Sequence, residues 1–200
     1  RRTIILPQLG ATGVAAHIVK QRTGFKVEYG PVRAKDLPGY LKNHQATLDM
    51  RRVRFNLFDR VVLIPIELKG VFLPMLAIAA LAYLTGGFFM SWVVIGGVLT
   101  GVVIFPLLVP YLPTRDYSTK GFFLGVMYAL LVIFFSRIWA EDVAPWLKIT
   151  RSASHLLIWP AVVGYIALNF TGSTPFTSRT GVRKEIFKYI RIMALFFVVG

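Results

Sequence analysis

The chain has no cysteine. That excludes a disulfide framework, a thiolate metal site and an iron–sulfur cluster held by these residues. Acidic side chains are scarce, 9 Asp and Glu against 23 Lys and Arg, for a formal net charge of +14. Such an excess can signal nucleic acid. Here most of the cations sit at the ends of apolar runs, where Lys and Arg fix membrane topology, and no basic–aromatic motif of a nucleic-acid reader is present. No nucleic-acid partner is expected. Charge of either sign is missing from Gly70 to Thr114. The three histidines, His17, His44 and His155, are scattered without ligand spacing, so no metal site is expected; each reads as structural, His17 being the one placed to approach a cofactor edge.

What remains is apolar. Hydrophobic residues make up 56% of the 200 and charged residues only 16%, which places the chain among integral membrane proteins. The charge-free run is long enough for two spans of about 20 residues each, with a turn near "TGGFF" at 85–89. Spans are expected at about 70–87, 90–112, 121–139 and 153–171, and a fifth, from about 189, is cut short at Gly200. Because the chain opens on Arg1 and stops inside an apolar run, it is expected to be a piece of a longer protein. Gly97 and Gly101, and again Gly121 and Gly125, have the spacing that lets helices approach closely, a packing role. No ionisable residue lies in the middle of a full span, which argues against an ion pathway. Pro106, Pro110 and Pro160 are candidates for kinks.

Residues 1–45 have a different character. "TIILPQ" at 3–8 is a β-favouring run, "GATG" at 10–13 breaks it, and "VAAHIVKQRTG" aligns Val14, Ile18 and the Arg22 stem on one helical stripe, with Gly24 as the stop. "FKVEY" at 25–29 alternates as a second strand, and "GPVRAKDLPGYLKN" follows as a loop and short helix. The order β-α-β reads as a fragment of a parallel, Rossmann-like α/β sheet, too small to be a whole domain, followed by an all-α polytopic transmembrane bundle.

Two loops of this fragment carry candidate binding residues. A glycine-rich turn between strand and helix, here Gly10, Ala11, Thr12, Gly13 and Val14, lets backbone approach a ligand and aims amide N–H groups at it. It lacks the full G-x-G-x-x-G spacing, and on pattern alone an ordinary βα turn is the simpler reading. The second loop, Gly30, Pro31, Val32 and Arg33, leaves the next strand, and adjacent loops at one sheet edge can share one ligand. Equally, Arg33 can simply pair with a carboxylate such as Asp36.

Between the two parts, residues 46–69 form a basic junction. Arg51, Arg52, Arg54 and Arg60 alternate with Val53, Phe55, Leu57 and Phe58, a pattern that suits membrane lipid, basic face to anionic headgroups and apolar face to acyl chains. A solvated helix of the soluble part is the alternative. If this junction is cytoplasmic, so are the loops holding Arg115 and Lys120 and holding Arg179, Arg183, Lys184 and Lys188, while the 137–151 connection offsets its cations with Glu141 and Asp142. That orientation places the soluble part in the cytoplasm and the chain in the inner membrane. The loop "NFTGSTPFTSRTGVRKE" at 169–185 is rich in Ser, Thr and Gly and then basic; it suits contact with the soluble part, or a plain solvated loop with Ser178 or Thr180 capping a helix from about Val182.

Three blocks, "LPQLGATGVAAHIVKQRTGFKVEYGPVRAKDLPGYL", "MRRVRFNLFDRVVLIPIEL" and "NFTGSTPFTSRTGVRKE", in that order, resemble the mercury-methylating corrinoid protein family (HgcA) over essentially the whole chain. The first block is also similar to the corrinoid-binding domain of the corrinoid iron–sulfur protein of the acetyl-CoA pathway. The resemblance implies a membrane-anchored corrinoid-dependent methyltransferase, with a cytoplasmic cobalamin-binding domain on five transmembrane helices. It implies methyl transfer from a methylcobalt corrinoid to Hg(II), a methyl donor of folate type, and a ferredoxin-like partner with two 4Fe–4S clusters that returns the cobalt to its reduced state. The corrinoid-cradling loops would be Gly10–Val14 and Gly30–Arg33. The family's cobalt-proximal Cys lies on a cap helix that would fall upstream of Arg1, so the catalytic residue is unknown here.

Overall fold

The computed structural model describes residues 2–171 and 179–200, which fall into two compact units, Arg1–Phe55 and Asn56–Gly200. The division lies inside the stretch read as a basic junction.

In the first unit, β1 (Thr3–Pro7) is followed by a 3-10 turn at Gln8–Thr12, then α1 (Ala16–Thr23) and β2 (Lys26–Gly30). Gly24 ends α1 in the left-handed conformation, φ 73°, with its N–H donated to the Lys20 carbonyl; a side chain there would be strained. The strands are parallel, Thr3 opposite Lys26 through Pro7 opposite Gly30. After β2 come α2 (Leu37–Asn43) and the single turn α3 (Leu48–Arg51), which Thr47 caps by accepting the Met50 N–H. A parallel β-α-β unit is therefore present. Its two short strands do not by themselves make a Rossmann-like sheet.

The second unit is helical. A short α4 (Leu57–Val61) leads into α5 (Ile64–Leu99), a π-turn at Thr100–Ile104 and α6 (Phe105–Leu108). Then come α7 (Tyr117–Phe135), α8 (Pro145–Phe170) and α9 (Arg179–Val199). Three helical stretches among the described residues are long and apolar enough to cross a membrane: Leu57–Leu108, Tyr117–Ala140 and Pro145–Phe170. The chain is a membrane protein with a helical membrane part.

The first stretch has 52 residues, about 78 Å if straight, far beyond the roughly 30 Å of a bilayer core. It does not run straight. Gly87 has φ 73° and ψ −168°, outside the helical region, and breaks α5 inside the expected turn. Arg60, near the start, donates to the carbonyls of Pro106 and Leu107, near the end, at 3.1 and 3.0 Å. The stretch therefore doubles back as a helical hairpin with Gly87 at its tip. α9 begins at Arg179, not near Val182, with Thr180 inside its first turn, and the expected cap at Ser178 lies outside the described residues. Its apolar half starts only after Arg191, so it does not rank with the three stretches above.

The small residues set the packing. A Cβ on Gly125 would fall 2.5 Å from Pro160 Cα and one on Gly121 2.8 Å from Gly164 Cα, so α7 lies backbone against backbone on α8, antiparallel to it. A Cβ on Gly97 would strike the Trp159 ring, and one on Gly101 the Ile166 side chain, so the second arm of the hairpin receives large side chains of α8 in the space its glycines leave. Val93, Ala129, Val132 and Trp159 form the buried centre; there the Tyr128 hydroxyl donates to the Val93 carbonyl at 2.6 Å and its ring meets Trp159 edge-on at 5.2 Å.

Helix ends at one side of this unit are satisfied by charged side chains. Arg60 and Lys120 supply the carbonyls at the end of the hairpin, Lys120 reaching Val109 at 2.7 Å. At the start of α7, the Glu185 carboxylate of α9 accepts the Tyr117 and Ser118 N–H groups and the Ser118 hydroxyl. Arg60 is only 6% exposed. That corrects the reading of it as a headgroup-facing cation: it is spent on carbonyls that a proline-bearing helix end leaves open. Arg54, another of the four junction arginines, pairs with Asp49 at 3.0 Å.

Candidate functional site

Parallel pairing puts both candidate loops at one edge. Because Pro7 is opposite Gly30, residues 8–14 and 30–33 leave the carboxyl ends of adjacent strands, the edge where open α/β sheets place their ligands. The Tyr29 hydroxyl of β2 donates to the Val14 carbonyl and fixes the end of the first loop. Val32 donates its N–H to the Met50 carbonyl at 2.8 Å, tying the second loop to α3. Arg33 is half-buried and engaged, and the Asp36 N–H donates to its carbonyl at 3.1 Å.

The geometry of each candidate glycine differs from what the pattern suggests. Gly13 has φ −110°, Gly10 is not among the residues with positive φ, and both have room for a Cβ, the nearest atoms being 4.0 and 3.8 Å away. Nothing among the described residues therefore requires glycine at 10 or 13. The N–H groups of Gly13 and Val14, expected to aim at a ligand, are turned inward onto the Gly10 carbonyl at 3.1 and 2.9 Å. Ala11 and Thr12 are exposed on the turn, where the Thr12 hydroxyl donates to the Leu9 carbonyl. Gly30 is the constrained one. Buried beside Pro31, it would bring a Cβ within 3.0 Å of Ile5 Cγ2 and 3.4 Å of Tyr40 Cε1, so its need for glycine comes from packing on α2.

Next to these loops lies a cleft of about 1150 Å³. Its floor is the sheet face of Thr3, Ile5, Lys26 and Glu28, and Gln8, Tyr40, His44 and Arg51 stand around it. Lys26 bonds Glu28 at 2.9 Å across this floor, and His44 Nδ1 lies 3.7 Å from the other Glu28 oxygen. The hydrogen bond from Lys26, aided by the nearby His44, holds the Glu28 carboxyl below its ordinary range. Gln8 Oε1 is buried without a hydrogen-bond partner among the described residues. The imidazole on the cleft is thus His44; His17 is exposed on α1.

Sequence reasoning found the loops and missed the cleft. The only prior signal was the alternation of Lys26 and Glu28 on one strand face, which reads equally as a solvated surface. No group of His, Asp and Glu able to hold a metal ion exists among the described residues. No family profile, curated protein or solved structure matches the chain.

Proposed function

We propose that this chain is the carboxyl-terminal part of a membrane-anchored corrinoid-dependent methyltransferase acting on Hg(II). The observation that carries the reading is the shared carboxyl edge of β1 and β2, with the two loops and an adjacent cleft on a chain that continues into a membrane bundle. The resemblance of the three sequence blocks supplies the chemistry. Residues 10–14 and 30–33 would hold the edge of the corrinoid, and Tyr29 keeps the first of these loops in place by its bond to Val14. When bound, the corrinoid supplies the methyl group and its cobalt carries the transfer; the protein contributes binding and orientation. These residues hold no cysteine, so none of them can be the cobalt-proximal Cys that the resemblance implies. A ferredoxin-like partner with two 4Fe–4S clusters and a folate-type donor belong to the same reading.

Orientation belongs to it as well. The Arg51–Arg60 cluster, Arg115, Lys120 and the basic start of α9 favour the cytoplasmic side, and the contacts of Arg60 with Pro106, of Lys120 with Val109 and of Ser118 with Glu185 gather Arg60, the start of α7 and the start of α9 at one end of the helical unit. The inward-turned amides of Gly13 and Val14 favour a second reading, in which the β-α-β unit only docks a partner and the loop is an ordinary βα turn. A corrinoid methyl carrier of acetyl-CoA metabolism shares the cofactor but not the acceptor. Colour separates the first two readings. Protein purified from a cobalamin-supplied host is expected to carry a visible corrinoid band and to form methylmercury from Hg(II); a colourless folded protein overturns the cofactor, and a coloured protein inert toward Hg(II) points to the carrier.

A further inference from the structure

The helical unit contains a second cavity, of about 810 Å³, unrelated to the corrinoid loops. One wall is α8, from which Arg151, Ser154, His155, Ile158, Trp159 and Val162 follow one another at helical spacing on one face. The facing wall is the second arm of the hairpin, with Met90, Val94 and Val98 spaced four apart. Because α7 and α8 are antiparallel, the Ser136–Glu141 connection and the start of α8 lie together, and all five polar lining residues come from those two segments. The cavity is polar at that end and apolar for the rest, about 16 Å of helix separating Arg151 from Val162.

The polar end has a definite hydrogen-bonding character. Arg151 is neutralised by Glu141 at 2.6 Å. His155 Nδ1 accepts the Trp159 indole N–H at 3.3 Å, so in the neutral ring Nε2 carries the proton. The Ser154 hydroxyl makes no hydrogen bond among the described residues, whereas Ser136 already donates to Ile133. The open valences are thus mainly donors, at a site whose only fixed charges cancel. Flat or soft side chains adjoin this end on both walls, Phe89 and Met90 on the hairpin arm and Trp159 on α8.

We infer that this cavity binds a lipid-soluble amphiphile with a flat, uncharged, carbonyl-bearing head of the quinone type. The head accepts hydrogen bonds from His155 Nε2 and Ser154, and the chain lies along Val94, Val98, Ile158 and Val162. A phosphate head is disfavoured because the one cation there is already paired. The size fits the range of small-molecule sites.

The test is titration of the detergent-purified protein, reconstituted in phosphatidylcholine nanodiscs, with decylubiquinone, read by quenching of tryptophan fluorescence. Saturable quenching is expected, weakened roughly tenfold by His155→Leu, which removes a donor, and abolished by Val98→Phe, which fills the apolar part. Both variants are checked for an unchanged melting temperature; Ser154→Ala, a smaller change, gives the same direction should either unfold. Quenching that rises linearly without saturation, or is equal in all variants, shows partition into lipid and overturns the proposal. Displacement of the quinone by phosphatidylglycerol, but not by added phosphatidylcholine, overturns it in favour of an anionic lipid.

Discussion

The Arg60 guanidinium bridges the carbonyls of Pro106 and Leu107, 46 and 47 residues further along the chain. One nitrogen serves both acceptors, so the bond fixes where the hairpin closes as well as satisfying its end. Truncation leaves two poorly hydrated acceptors, and Arg60→Ala is expected to cost about 1–3 kcal/mol of stability. The exposed Arg51→Gln should cost almost nothing. Thermal melts of the two variants in detergent check the contrast; equal melting temperatures would return Arg60 to the class of headgroup-facing cations.

Gly125 makes a second sharp expectation. Its missing Cβ would lie 2.5 Å from Pro160 Cα and 2.6 Å from the Trp159 carbonyl, backbone atoms that cannot swing aside. Gly125→Ala is expected to force α7 away from α8 at a cost of about 1–3 kcal/mol, while Gly70→Ala, with open space around it, is neutral or slightly stabilising. Denaturation midpoints of the purified variants decide it.

These two sites show which features were legible beforehand. The hairpin was readable because a charge-free run long enough for two spans contained a Gly-Gly pair, and the α7 glycines because their spacing has few other uses. Arg60 was not. An arginine flanked by apolar residues looks the same in sequence whether it faces lipid headgroups or caps a helix end 46 residues away, since only tertiary contact distinguishes them. Glu185 on Ser118 was missed for the same reason. In the first unit the loops were found by turn chemistry, but the cleft depends on how α2 and α3 fold back on the strand face, and no local pattern encodes that.

The acid limb of stability should depend on Asp116. Its carboxylate accepts a 2.7 Å bond from the Tyr189 hydroxyl and a 3.4 Å contact from Lys188, joining α9 to the start of α7. Those partners, Tyr189 first, hold its pKa below the ordinary 3.8. A depressed carboxylate contributes stability that is fully present above its unfolded value and is lost as pH falls through the lower folded value. Asp116→Asn should therefore melt below the parent near neutral pH, and the gap should close below about pH 4. A gap independent of pH between about pH 6 and pH 3 would show that Asp116 contributes by packing alone.

These 200 residues contain no cysteine, so a single cysteine introduced among them, compared with the unsubstituted parent, reports its own side of the membrane. Ser178→Cys is expected to be protected from a membrane-impermeant maleimide added to intact cells, and Asp142→Cys, on the opposite connection, to be labelled. The reverse pattern would overturn the proposed orientation and, with it, the proposed cytoplasmic placement of the β-α-β unit.

The cofactor reading meets its hardest test at Gly10 and Gly13, because the fold itself does not need glycine there. Both sites have space for a side chain and neither has a positive φ, so Gly10→Val and Gly13→Val are expected to fold with nearly parental melting temperatures. A corrinoid lying against the backbone of this turn would be excluded by the added methyls, and corrinoid content per folded protein should fall by at least about tenfold, which is about 1.4 kcal/mol of lost affinity. Gly30→Ala should behave differently, because its Cβ meets Ile5 and Tyr40 and the damage is to packing; there stability and corrinoid content fall together. The separation of stability from retention is what identifies a ligand surface. If the Gly10 and Gly13 variants keep full corrinoid, the turn is an ordinary strand-to-helix connection and the cofactor, where present, rests on the cleft of Glu28, Tyr40 and His44 instead.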